Sequence, residues 1–299
     1  MAFLYRRLSC LQPSIKAALH PRCQQQRTPR HRNTSTFPSS QGLPEPYLDS
    51  YSNLDESLKC WGLKEDTAWG FVVYRTSYQA NSQWQRMIQH INEEIHESLS
   101  LNQRLDLLKH HRLTVIDDAA KFDGATSHAV RDHFQSWVSS ELTTVLKDPS
   151  KTRCPVNLGE RAVEVELSLG SRYNFCLFVD DICLESLDKM SYPVVKLLSR
   201  ATGIREPEDR EYQVDPYYED GDTEFTEEDV GWMYIEVLEY CSKYNGLVDP
   251  HVWLDQYWRP PYMLFSNDEE FPGNWRASDP NSVQYRIAEE IKRVKLGVK

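Results

Sequence analysis

The chain has 299 residues, 40% of them hydrophobic, and a formal charge of −11. That length buries a sizeable core, and the composition excludes a chain disordered throughout. The longest apolar runs, such as Phe175–Val179, fall far short of the about 20 residues a spanning helix needs, so no membrane span is expected. Residues 1–44 hold seven of the 34 basic residues and none of the 45 acids, which leaves the body at −18. So acidic a body repels phosphate backbones, and no nucleic-acid partner is expected.

Residues 1–36 read as a basic presequence. Leu4, Leu8, Leu11, Ile15 and Leu19 recur at helical spacing, with Arg6, Lys16 and His20 opposite them and no acid in the segment. A basic, acid-free amphipathic helix is the pattern of a mitochondrial transit peptide, so a mitochondrial location is expected, with a cytoplasmic one as the alternative. Residues 37–66 follow as a Pro- and Ser-bearing linker.

A strand is predicted within Trp69–Tyr78, apolar on both sides and therefore central in its sheet. A helix follows over Ser82–Leu99, with Trp84, Met87, Ile88, Ile91, Ile95 and Leu99 on one stripe. Leu113–Ile116 is a second strand, and Thr126 or Ser127 caps a helix carrying Val130, Phe134, Trp137 and Val138. Tyr173–Val179 is a third strand and Trp232–Leu238 a fourth. The expected fold is α+β: a single mixed sheet of at least four strands in the order β-α-β-α-β-β, with helices packed on it. The domain spans 67–265 and includes an acidic loop at 206–229, with twelve acids against the single base Arg210. A tail at 266–299 ends in a helix with Val283, Ile287, Ile291 and Val294 on one face.

Signatures of common chemistry are missing. There is no glycine-rich phosphate loop, no nucleophile elbow and no H-E-x-x-H. The seven cysteines have no C-x-x-C spacing, and Cys176 and Cys183 read as small buried hydrophobes. No cofactor and no metal site are expected; an EF-hand reading around Gly221 fails because Pro216 and Tyr218 fall where carboxylates are needed.

Two features carry possible chemistry. Asp117-Asp118 and Asp180-Asp181 each follow a strand, and parallel neighbouring strands would gather four carboxylates at one sheet edge, able to hold a divalent cation or to act as acid and base. The competing role is helix capping and turn formation. Arg75 is the one charge in its apolar strand and needs a partner, for which a strand-end acid is the candidate. The aromatic stretch Trp253–Tyr262 either lines a pocket or covers the core edge.

The ordered set Trp69–Arg75, Ile116-Asp117-Asp118 with Phe122-Asp123-Gly124-Ala125, Arg131, Phe134, Trp137, Phe178–Asp181 with Cys183-Leu184, Gly231-Trp232-Met233 and Tyr257–Pro261 resembles a widespread group of uncharacterised filamentous-fungal proteins. The resemblance covers roughly residues 69–262 and implies a single domain. It implies no catalytic residue. Asp117-Asp118-Ala119 departs from the group's mixed acid pair followed by proline. Two functions fit these residues. One is a non-catalytic accessory or binding protein that engages a protein partner through the acidic loop or the C-terminal helix. The alternative is a small-molecule enzyme of specialised metabolism using Asp117, Asp118, Asp180, Asp181 and Arg75.

Overall fold

The computed structural model describes residues 50–59, 63–64, 67–147, 169–204, 229–263, 271–278, 285, 289 and 293. All lie in one compact unit, Pro44–Lys299. The presequence, most of the linker, the acidic stretch up to residue 228 and the apolar face expected of the C-terminal helix lie outside the described residues.

A run of β-branched and aromatic residues with no charge before Arg75 favours extended chain buried on both sides. It forms β1 (Val72–Arg75), every residue of which is buried. It follows the short helix α1 (Ser52–Leu58). Helix α2 (Asn81–Leu101) buries Trp84, Met87, Ile91, Ile95 and Leu99 of the expected stripe and half-buries Ile88. Strand β2 (Thr114–Ile116) is half-exposed. A single helical turn, α3 (Ala119–Phe122), leads to α4 (Ser127–Val145), whose N-cap is Thr126. The Thr126 hydroxyl accepts the Ala129 N–H at 3.3 Å, which satisfies a donor the first helical turn leaves open.

The third expected strand begins later than its apolar pattern suggested. Ser171–Asn174 form a helical turn, α5, and the fully buried strand β3 runs over Phe175–Val179. Helix α6 (Asp181–Lys189) follows, then β4 (Val194–Ser199), a strand absent from the sequence reading. The expected fourth strand is thus the fifth, β5 (Trp232–Glu236), followed by α7 (Tyr240–Gly246) and α8 (Trp253–Gln256).

The five strands make one mixed sheet in the order β2-β1-β3-β4-β5, so the α+β reading holds. Strands β2 and β3 both run parallel to β1 and flank it; β4 is antiparallel to β3 and to β5. The strands bearing the two acid pairs are therefore parallel, but β1 stands between them.

Registry puts Tyr74, Phe178, Lys196 and Tyr234 in one row on one face. The Tyr74 ring meets Phe122 and His133 of α3 and α4, while the next side chain, Arg75, lies against Trp84 of α2. Neighbouring strand residues point to opposite faces, so α2 and α4 cover opposite faces of the sheet. The crossover from β1 to β2 moves one way and that from β2 to β3 moves back past β1, with the helix changing faces, as a constant crossover hand requires. The gap between the carboxyl ends of β1 and β3 is a topological switch point, where ligands of open α/β sheets bind.

Buried arginines tie the elements together. Arg131 of α4 donates to Ser199 O at 3.1 Å and to Gly231 O at 3.3 Å. Arg172 donates to Gly70 O at 2.7 Å and to Thr114 Oγ1 at 2.8 Å. These bonds give two arginines a structural role by satisfying carbonyls at the sheet ends. Among the described residues no helix is long and apolar enough to cross a membrane.

Candidate functional site at the carboxyl ends of β1 and β3

The switch point is held together by backbone. The Thr76 N–H and hydroxyl both donate to Val179 O, at 3.0 and 3.1 Å, and Thr76 O accepts the Gly124 N–H at 2.9 Å. The end of β1 is thereby fixed to the end of β3 and to the turn entering α4. Over this junction opens a pocket of about 360 Å³, lined by Thr76, Gly124–Thr126, Phe178, Asp180–Ile182, Lys196 and Arg276.

Its charged centre is a pair that crosses from β3 to β4. Lys196 Nζ lies 2.7 Å from Asp180 Oδ2, and the lysine side chain is only 2% exposed. Rings surround the ammonium: Trp232 at 4.3 Å, Phe178 and Tyr234 at 5.4 Å each. Ring quadrupoles attract a cation at such distances and replace part of its lost hydration. Asp180 is also the N-cap of α6, accepting the Cys183 N–H at 3.0 Å. Burial alone raises the Asp180 carboxyl, but the Lys196 ammonium and the Cys183 N–H outweigh it and hold the group below its ordinary value. Asp180 is therefore a carboxylate at neutral pH.

Asp181 accepts the Ser77 hydroxyl, which binds the first residue of α6 to the loop after β1. Arg276 completes the wall. Its Nη2 and Nε reach Glu185 of α6 at 2.7 and 3.0 Å, and Trp275 Nε1 donates to the same carboxylate at 2.5 Å. Burial raises Glu185, but these donors lower it further.

The other expected site residues lie elsewhere. Arg75 faces α2, on the far side of the sheet from Phe178 and Lys196. Its guanidinium sits 4.4 Å from the Tyr78 ring and 5.3 Å from that of Trp84, donates to Ser77 O at 2.9 Å, and meets Asp117 at 3.4 Å. The expected partner is thus a strand-end acid, and the pair is peripheral: the Asp117 side chain is 42% exposed. Asp118 occupies the N-cap position of α3 without a side-chain capping bond. Asp117 and Asp118 do not line the pocket with Asp180 and Asp181. Among the described residues, no three His, Cys, Asp or Glu side chains are placed to hold a metal ion.

Cys176 and Cys183 are buried free thiols, both raised chiefly by burial. Trp253 of the aromatic stretch stacks on Phe175 at 5.5 Å and donates to Asp229 at 2.7 Å at the core edge, and with Leu254 it also lines a small pocket of about 150 Å³. Asp229, the last acid of the acidic loop, also accepts the Gly231 N–H at 2.6 Å and is part of the fold rather than a solvated loop acid.

The sequence reading missed Lys196 and Arg276. Lys196 carried the signal that drew attention to Arg75, a single charge in an apolar run, here Val194–Leu198. Arg276 carried none, because only the folded chain brings it to Glu185. Comparison with known proteins adds no assignment: no family model, no curated protein and no solved structure matches the chain.

Proposed function

We propose that this protein binds a small molecule at the carboxyl ends of β1 and β3 and acts on it with Lys196 and Asp180. One observation carries the reading: the switch-point pocket is walled by two of the four strand-end acids and by a buried lysine. A buried ammonium donates hydrogen bonds to a bound group, and the adjacent carboxylate keeps that ammonium charged. Phe178 and Ile182 supply apolar wall beside these polar groups, the mixture typical of small-molecule sites.

The test is a thermal-shift screen of a metabolite library on the wild type and on the neutral pair Asp180→Asn/Lys196→Met. Compounds that stabilise the wild type and not the double variant support the reading. Identical hits on both proteins, or none on the wild type, overturn it.

The accessory-protein alternative rests on the acidic stretch and the C-terminal helix, which lie almost wholly outside the described residues. Mitochondrial import and kinship with the filamentous-fungal group are likewise proposals resting on residues 1–36 and on the ordered motifs. Mass-spectrometric reading of the N-terminus of the protein from its native cell tests import: a new terminus near residue 35 supports it, and an intact Met1 excludes it.

A further inference from the structure

We propose that a small apolar pocket at the amino end of β3 docks a partner protein, taking one large apolar side chain from a segment whose flanks are basic. This surface is separate from the ligand site at the carboxyl ends of β1 and β3, and neither reading depends on the other.

The pocket of about 150 Å³ opens where β3 begins and β4 ends, beside the start of α8. Its apolar wall is Phe175, Ala201, Pro250, Trp253 and Leu254. Most polar side chains beside them are engaged within the fold. Asn174 Nδ2 donates to Gly170 O at 3.0 Å, and its Oδ1 accepts from Arg200 Nη2 at 3.3 Å. The Ser199 hydroxyl accepts the Ala201 N–H at 3.3 Å, and Trp253 Nε1 donates to Asp229 at 2.7 Å. The Thr202 hydroxyl, shielded from solvent, has no hydrogen-bond partner. A charged group entering here would lose its water and gain little. An apolar space of this size holds about one ring or one branched aliphatic side chain.

The mouth is apolar as well. Leu254 is 72% exposed, and Ile204, two residues past Thr202, is 54% exposed. Large apolar side chains held in water around an apolar pocket mark an interaction surface with a pocket for an anchor residue. A free aromatic molecule would fill the pocket but leave this rim in water.

Charge selects the partner. From Thr202 to Asp229 the chain has twelve acids against Arg205 and Arg210. Both ends of that stretch are at the pocket: Thr202 is on its wall, and the Asp229 carboxylate holds Trp253 of the same wall. Glu228 and Glu227 stand one and two residues before Asp229, so chain length alone keeps their backbone within about 7 Å of it. That is inside the Debye length of about 8 Å at physiological salt. The negative field attracts lysine or arginine on either side of the anchor and repels acidic flanks. It also disfavours a second copy of this chain, which carries a formal charge of −11.

Fluorescence polarisation of the full chain with labelled seven-residue peptides tests this. The central residue is Phe, Leu, Met or Ala, and the flanks are three lysines or three glutamates on each side. At least one of the Phe, Leu and Met peptides with lysine flanks is expected to bind about tenfold more tightly than the Ala peptide. At low salt it is also expected to bind about tenfold more tightly than its glutamate-flanked counterpart, a gap that closes as salt rises. Ala201→Leu fills the pocket and Leu254→Ser removes its rim, both from exposed positions. Each is expected to weaken that peptide about tenfold at an unchanged melting temperature. Binding that ignores the central residue, or that both variants leave intact, overturns the docking pocket. Equal binding of lysine- and glutamate-flanked peptides overturns the basic partner. If no peptide binds, the proposal falls; p-cresol stabilising the wild type and not Ala201→Leu would then assign the pocket to a free aromatic molecule. None of these outcomes bears on the switch-point pocket, whose own test changes Asp180 and Lys196.

Discussion

His111 shows how a single buried group sets a pH dependence. Its ring meets Trp69 edge-on at 4.6 Å, and its Nε2 lies 3.2 Å from the Tyr240 hydroxyl. That hydroxyl also accepts the Phe71 N–H at 2.8 Å. Burial, and after it the charge of Arg172, lowers the imidazole from 6.5 to about 4. Between these two values the unfolded chain binds the extra proton and the folded chain does not, so stability is full above pH 6.5, falls as pH drops toward 4, and falls no further below it on this account. The group contributes on the order of 3 kcal/mol across that window. Urea unfolding at pH 7, 5.5 and 4 on the wild type and on His111→Phe checks this: the difference between the two proteins is expected to shift in the variant's favour as pH falls, and a difference that does not change with pH sinks the claim. The Lys196–Asp180 pair makes a second expectation. Lys196→Met leaves the half-buried Asp180 carboxylate without its lysine and is expected to cost about 2–3 kcal/mol, whereas Asp180→Asn/Lys196→Met costs less than the single change. A double variant that costs the sum of the two single changes in urea unfolding would mean that the two groups are not coupled. Of these residues, Arg75 and its acidic partner were readable from the sequence, because one charge in an apolar strand demands compensation. Lys196 obeys the same logic and was readable too, but its strand was not recognised.

That strand shows where element-level reading stops. Val194–Ser199 is a short apolar run with a lysine at its centre, and so brief a run has no period to separate strand from buried helix. Only pairing on both sides, with β3 and β5, makes it extended. Helix α2 was readable because its stripe, from Trp84 to Leu99, repeats over about four turns and its other face is polar. The start of β3 was misplaced for a physical reason: Ser171–Asn174 are all buried, yet Arg172 and Ser171 bond to carbonyls of Gly70 and Tyr244, which fixes a helical turn there. The start of β5 depends on Gly231, at φ 78°. A Cβ at that position would stand 2.3 Å from Thr202 O, so the residue answers both to a left-handed backbone and to a close approach of two chain segments. Gly231→Ala is expected to cost about 2 kcal/mol, read as a lower denaturant midpoint with an unchanged slope. Within error of wild type, the variant would show that the loop relaxes freely.

The two functional readings occupy different parts of the chain, and this makes them separable. A Cβ at Gly203 would stand 2.3 Å from Val230 O, so the chain is already closed on itself where the acidic stretch leaves and rejoins the fold. Arg131 reinforces this closure by bonding Ser199 O on one side and Gly231 O on the other. Among the described residues, the switch-point pocket is lined by Thr76 after β1, Phe178 of β3, Lys196 of β4, the start of α6, the turn entering α4 and Arg276. Loop closure costs only about 0.6 kcal/mol per doubling of loop length, so replacing 205–228 by a short Gly-Ser linker is expected to change stability by about 1 kcal/mol at most. The excised chain should keep its melting temperature to within a few degrees and keep every pocket-dependent ligand shift. Affinity purification from the native cell then assigns the acidic stretch. A partner held by the full chain and lost by the excised one places an interaction surface there, alongside the pocket. Loss of the ligand shifts at an unchanged melting temperature would mean instead that the acidic stretch belongs to the ligand site, and that the pocket walls named here are incomplete.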